Sequence, residues 1–170
     1  MRVLGIDPGT VSLGYGVVDV GDEMRMVDCG VLRLSSQTPV EERLLCVYRG
    51  LSEVIAKHRP SEAAIEEPFV GRNVRSALRI GRAQAVAILS AVDGGLPVYY
   101  YSPARVKQQV TSYGRSDKQQ VREMVRIQLR LSSAPEPFDA TDALAVAICH
   151  IQQARANEWL TERTKRDSYS

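Results

Sequence analysis

Val3-Leu4-Gly5-Ile6-Asp7-Pro8-Gly9-Thr10 is the stretch on which the reading of this chain turns. Its first four residues are apolar and read as a buried strand. Asp7 closes that strand, and Pro8-Gly9 turns the chain at once. A second acid, Glu66, follows another apolar run, Ala63-Ala64-Ile65. A third group, Asp139-Ala140-Thr141-Asp142, opens the helix-like run from Ala143 to Ile148. Burying a carboxylate is expensive unless it is paired or bound to a metal. No basic residue is adjacent to any of these acids in the sequence. Convergence of the three segments on divalent cations accounts for all of them.

Bulk properties narrow the class. A chain of 170 residues can build one domain with a proper core and is short for two. Hydrophobic residues make up 44% and charged residues 25%, which excludes disordered and fibrous classes. No apolar run approaches a membrane span, and the N-terminus reads as a strand rather than a signal peptide. A cytoplasmic protein with no membrane partner is the expectation. Cys29, Cys46 and Cys149 form no CxxC pair, so they read as buried reduced thiols rather than a disulfide frame or zinc site. The net charge is +2, yet Arg72 to Arg126 holds ten Lys or Arg against three acids. That segment carries +7 and leaves −5 for the rest. Such asymmetry suits a phosphate backbone on one part and metals on another, and equally suits a solvated helix face.

Apolar and β-branched patterning predicts strands over 3–7, 13–20 and 24–34, with Gly21-Asp22 as a turn. A helical period runs from Val40 to His58, and Pro60 ends it. Ala63 to Glu67 reads as a short buried strand, Asn73 to Val92 as a long amphipathic helix and Leu96 to Tyr101 as a fifth strand. Helices are predicted over 103–110, 117–129 and 139–156. This order defines an α/β domain over 1–157, a five-stranded mixed sheet flanked by helices, with 158–170 as a flexible polar tail. Active sites in such sheets lie at strand ends, where Asp7 and Glu66 fall.

Each acid alone has a plain structural reading. Asp7 suits a turn, Glu66 an edge strand, and Asp139 with Asp142 a helix N-cap and its third position. Glu67 competes with Glu66, because strand alternation sends the two to opposite faces. Together the acids argue more strongly. Asp139 and Asp142 are three apart and share a helix face. Four carboxylates at one point repel each other unless cations are present. All-oxygen ligands suit Mg²⁺ or Mn²⁺. Two such ions about 4 Å apart form a clamp for in-line attack on a phosphodiester, one activating water and one stabilising the leaving 3′ oxygen. Asp7, on the central strand, is the candidate bridging ligand.

GIDPGT at 5–10, IEEPF at 65–69, VKQQV at 106–110, the K-x-x-V around Lys118 and DATDALAVA at 139–147 resemble the RuvC family of Holliday-junction resolvases in order and spacing. The resemblance runs from Arg2 to His150. It implies an RNase H-like fold, a homodimer, and symmetric paired nicks in four-way DNA junctions with Mg²⁺ or Mn²⁺, in recombination and repair. It implies Asp7, Glu66, Asp139 and Asp142 as catalytic metal ligands. It also implies Lys107 and Lys118 as basic groups near the scissile phosphate, and Phe69 as an aromatic that meets bases at the crossover. Family members work with the RuvA–RuvB branch-migration complex, a possible partner here. The sequence departs from the pattern at Glu67, where relatives can carry a neutral amide.

Arg72, Asn73, Arg75, Arg79 and Arg82 crowd the start of the long helix and suit phosphate contacts, as does Arg115 ahead of Lys118. Phe69 suits a wedge against an unstacked base or a core position. Ala77, Gly81 and Ala85 recur every four residues and are a candidate two-fold seam, or packing on the sheet. His58 and His150 read as structural, and Trp159 and Tyr99-Tyr100-Tyr101 as packing residues. Three other functions fit parts of the pattern: an actin-like or sugar-kinase ATPase fragment, an RNase H-like nuclease for RNA–DNA hybrid or RNA, and a non-catalytic junction binder.

Overall fold

Strand β1 (Arg2–Pro8) is buried along almost its whole length because helices cover both faces of the sheet around it. The computed structural model of the chain describes residues 1–9, 11–33, 35, 37–67 and 74–167, apart from the side chains of 162 and 165–167. Four more strands follow: β2 (Ser12–Val20), β3 (Met24–Arg33), β4 (Glu62–Glu66) and β5 (Val98–Tyr101). Their order in the sheet is β3-β2-β1-β4-β5. The first three form an antiparallel meander, and β4 and β5 add parallel to β1 through helical crossovers. The mixed sheet expected from the sequence is therefore present.

Helices α1 (Val40–His58) and α2 (Val74–Asp93) cover one face. Helices α3 (Pro103–Thr111), α4 (Lys118–Gln128) and α5 (Phe138–Asp167) cover the other. Alternation along β1 sends Leu4 and Ile6 toward α1 and α2, and Val3 toward α5. Asp7 shares the parity of Val3, so its carboxylate faces α5. On β4 the same rule sends Ala63 and Ile65 one way, and Ala64 with Glu66 to the α5 side.

Local chemistry sets the helix ends that matter for the site. Ser102 caps α3 by accepting from the Arg105 amide, with Pro103 at the first turn. Asp117 and Gln120 form a capping box that starts α4 and puts Lys118 in its first turn. α5 begins at Phe138, so Asp139 lies inside the first turn and is not the cap. From Ala143 to Ile151 this helix is buried all round. Its backbone sits almost directly on the sheet. A Cβ on Gly5 would run into the Ala143 carbonyl, and one on Gly14 into the Asp139 carbonyl. Only glycine permits that approach.

The last helix differs from expectation. The apolar period weakens after Ala156, but no Gly or Pro interrupts 157–167, and helical structure continues to Asp167. Trp159 and Leu160 on this extension are exposed, so Trp159 is not the packing residue expected. Of the three cysteines expected to be buried, only Cys149 is; Cys29 is half-buried, and Cys46 lies exposed on α1. Residues 168–170, the end of the expected flexible tail, lie outside the described residues.

Candidate active site

The carboxyl-terminal ends of β1 and β4 and the start of α5 meet beside α3 and α4. They enclose a cleft of about 220 Å³ lined by Asp7, Glu66, Lys107, Lys118 and Asp142, with Pro103, Val106, Val121 and Ala145 as apolar walls. Asp7, Asp139 and Asp142 each bring a carboxylate oxygen within 4.8 Å of the others. Glu66 faces the same cleft from the neighbouring strand. Residues 7, 66, 139 and 142 come from three elements far apart in sequence.

The electrostatics of this cluster are severe. Burial, then the charges of Asp142 and Asp139, push the Asp7 carboxyl up to about 7, with Lys118 pulling against them. Burial, then Asp7 and Asp142, push Glu66 up to about 8, opposed by Lys118 and Lys107. Burial and mutual repulsion thus bring both acids into the range where they titrate near neutral pH in the metal-free protein. Lys118 donates from Nζ to Asp142 Oδ2 at 3.0 Å, and this bond raises the lysine further. Ser12 Oγ donates to Asp139 Oδ2. One direct lysine bond does not balance four carboxylates. The donor set is all oxygen and short of positive charge, which fits hard divalent cations.

The structure also settles placements that the sequence left open. Glu66 lines the cleft, whereas Glu67 is exposed beyond the strand end and donates its amide to the Tyr101 carbonyl. Arg115 is exposed on the turn between α3 and α4. Arg75, Arg79 and Arg82 are exposed on α2, on the opposite side of the sheet from α5, and do not line the cleft. Phe69, Arg72 and Asn73 lie outside the described residues. Ser12 is a site residue that sequence reading missed. It follows a turn with no periodic signal, and its link to Asp139 spans 127 positions. His58 hydrogen-bonds Asp28 at 2.6 Å at the far end of the sheet, which fits its structural reading.

Known proteins resemble the chain in sequence and in fold. The family described as crossover junction endodeoxyribonuclease RuvC matches residues 3–150. The crossover junction endodeoxyribonuclease RuvC of Chloroflexus aggregans is 50% identical over 155 residues, covering 91% of this chain and 94% of the relative. That of Dehalococcoides mccartyi is 49% identical over 154 residues, covering 90% and 92%. Among solved structures, Thermus thermophilus RuvC superposes with a TM-score of 0.86 at 38% identity, covering 92% of this chain and 97% of that one. T. thermophilus RuvC in complex with Holliday junction substrate superposes at 0.88 with 39% identity, covering 92% and 96%. The yeast mitochondrial Holliday junction resolvase Ydc2, at 15% identity and a TM-score of 0.66, shares the fold.

Fold and relatives together define the class: a hydrolase on the RNase H-like fold, with its acids gathered at the strand ends. More particularly, the chain belongs to the RuvC family of crossover junction endodeoxyribonucleases.

Proposed function

We propose that this protein resolves four-way DNA junctions by paired, symmetric phosphodiester cuts, using Mg²⁺ or Mn²⁺ with two ions per active site. The convergence of Asp7, Glu66 and Asp142 in one cleft faced by Lys107 and Lys118, with Asp139 beside Asp7 and Asp142, carries the reading. Bound to these acids, the cations supply Lewis acidity for in-line hydrolysis. Asp7, on the central strand, faces the acids of α5 on one side and Glu66 on the other, which suits a shared ligand. Ser12 holds the Asp139 carboxylate in place through its hydroxyl. Lys118 sits at the cleft with its side chain 65% exposed, within reach of an incoming phosphate oxygen. Lys107 adds a second positive group from α3. The apolar walls lower the local dielectric and strengthen these interactions.

A four-way junction with two equivalent cuts calls for two copies of the site. Helix α2 supports a homodimer. Val74, Leu78, Leu89 and Val92 form one apolar stripe along it, 57–69% exposed, and Gly81 on the same stripe has open space around it. This extends the small-residue seam read from Ala77, Gly81 and Ala85, since Ala85 is exposed on it too. Arg75, Arg79 and Arg82 flank the stripe, where a duplex arm crossing a two-fold axis would meet them. Phe69, between Glu66 and these arginines, suits contact with bases at the crossover. The RuvA–RuvB complex is a candidate partner through the shared junction. Among the described residues no helix is long and apolar enough to cross a membrane.

A gel assay on labelled four-way junction, linear duplex and RNA–DNA hybrid, each with Mg²⁺ and with EDTA, tests the reading. Paired, metal-dependent nicks confined to the junction are expected. Cleavage of the hybrid in place of the junction would move the function to another RNase H-like nuclease.

A further inference from the structure

Two of the four acids ride on α5 and two on the sheet, so their spacing depends on how the helix is seated. The close approach at Gly5 and Gly14 sets the height of α5 over β1 and β2. Those contacts fall between Asp139 and Ala147, so the helix beyond them is tied to the sheet by other contacts. His150 stands on the same helix face as Asp139, roughly 16 Å further along the axis. It is 3% exposed. Its Nδ1 lies 2.7 Å from the Tyr101 hydroxyl, and its Nε2 lies 2.5 Å from Glu62 Oε2. A carboxylate only accepts, so Nε2 donates to Glu62; in the neutral imidazole Nδ1 then accepts from the Tyr101 hydroxyl. Tyr99 packs on the same imidazole with ring centres 4.5 Å apart.

Among the described residues, these are the hydrogen bonds that join α5 to β4 and β5. The Tyr101 bond leads to the end of the sheet where the acids gather, and the Glu62 bond holds the start of β4. Glu62 precedes Glu66 by four residues on the same face of β4. Tyr101 pairs in register with Glu66, and its carbonyl accepts the Glu67 amide at 2.8 Å.

We infer that His150 is a positioning residue for the active site. Held between Glu62 and Tyr101, it fixes the tilt of α5 and so the separation of Asp139 and Asp142 from Asp7 and Glu66. Apolar contacts alone tolerate sliding, whereas two opposed, directional hydrogen bonds define both the rotation and the shift of the helix. The inference rests on the reading of the four acids as a metal site.

The test is calorimetric titration of Mn²⁺ into metal-free protein without DNA. It compares wild type, Tyr101→Phe, Glu62→Met and a control, Val47→Ala. Tyr101→Phe removes the hydroxyl end of the clamp and Glu62→Met the acceptor end, each at nearly constant volume. Val47 is fully buried on α1, across the sheet, so its truncation weakens the fold away from the clamp. Both clamp variants are expected to keep native circular dichroism and to bind Mn²⁺ about 10-fold more weakly. The control is expected to lose thermal stability and bind Mn²⁺ as wild type does. Equal Mn²⁺ affinity in wild type and both clamp variants would overturn the positioning role while leaving the metal reading intact. Wild-type protein that takes up no Mn²⁺ would overturn the metal reading, and the inference with it.

Discussion

Replacing Asp7 by Asn removes a carboxylate that the metal-free fold disfavours. Its proton is released at about 7 in the folded protein against 3.8 ordinarily. At about 1.36 kcal/mol per pH unit, ionising Asp7 in place therefore costs roughly 4 kcal/mol. The sign follows from which state holds the proton. The unfolded chain releases it near 3.8 and the folded chain only near 7, so the penalty is absent below the first value, grows between them and is complete above the second. Glu66 adds a penalty of the same sign between 4.5 and about 8, and loses part of it once Asp7 is neutral. An amide must still be buried, which offsets about 1–2 kcal/mol. Asp7→Asn is thus expected to stabilise the metal-free protein by roughly 2 kcal/mol at pH about 8, with most of the gain gone at pH about 5. Urea unfolding in EDTA at the two pH values, followed by circular dichroism, measures it. Adding Mg²⁺ should stabilise wild type at the higher pH and leave the variant nearly unchanged. Junction nicking should vanish while junction binding persists. A variant that loses stability equally at both pH values would refute the electrostatic argument and make Asp7 a residue that holds the fold.

Other outcomes follow from the same geometry. Lys118→Ala breaks an exposed ion pair, so stability should shift by about 1 kcal/mol or less. The nicking rate should fall about 10²–10³-fold in single-turnover kinetics. Neutralising Arg75, Arg79 and Arg82 together should weaken junction binding and flatten its dependence on log salt by roughly 3, as read from binding isotherms over a salt series. Leu78→Glu on the exposed stripe should yield a folded monomer in sedimentation velocity, and that monomer should lose simultaneous paired cuts. Gly5→Ala should lower the thermal midpoint sharply, because its methyl group meets the Ala143 carbonyl and the Ala147 amide on a rigid helix. A loss of at least about 3 kcal/mol is expected, at the upper end of core overpacking.

How legible this protein was depends on the range of each interaction. Strand and helix positions follow from local periodicity, so β1, α1 and the start of α4 were visible in the residues themselves. The acids were visible because a buried charge contradicts its apolar surroundings, as Asp7 does after Gly5-Ile6 and Glu66 after Ala64-Ile65. The choice between Glu66 and Glu67 needed the register of β4 beside β1, since alternation says only that one of them faces the site. The hydroxyl of Ser12 on Asp139, the lysine bond to Asp142 and the clamp of Glu62 and Tyr101 on His150 link residues 24 to 127 positions apart. Local sequence therefore determined which segments form elements and which residues conflict with their surroundings, because propensity and periodicity act within a few residues. Only the tertiary structure decided which carboxylates meet, what holds them apart and which way α5 lies, because those depend on directional contacts between distant segments that no local pattern encodes.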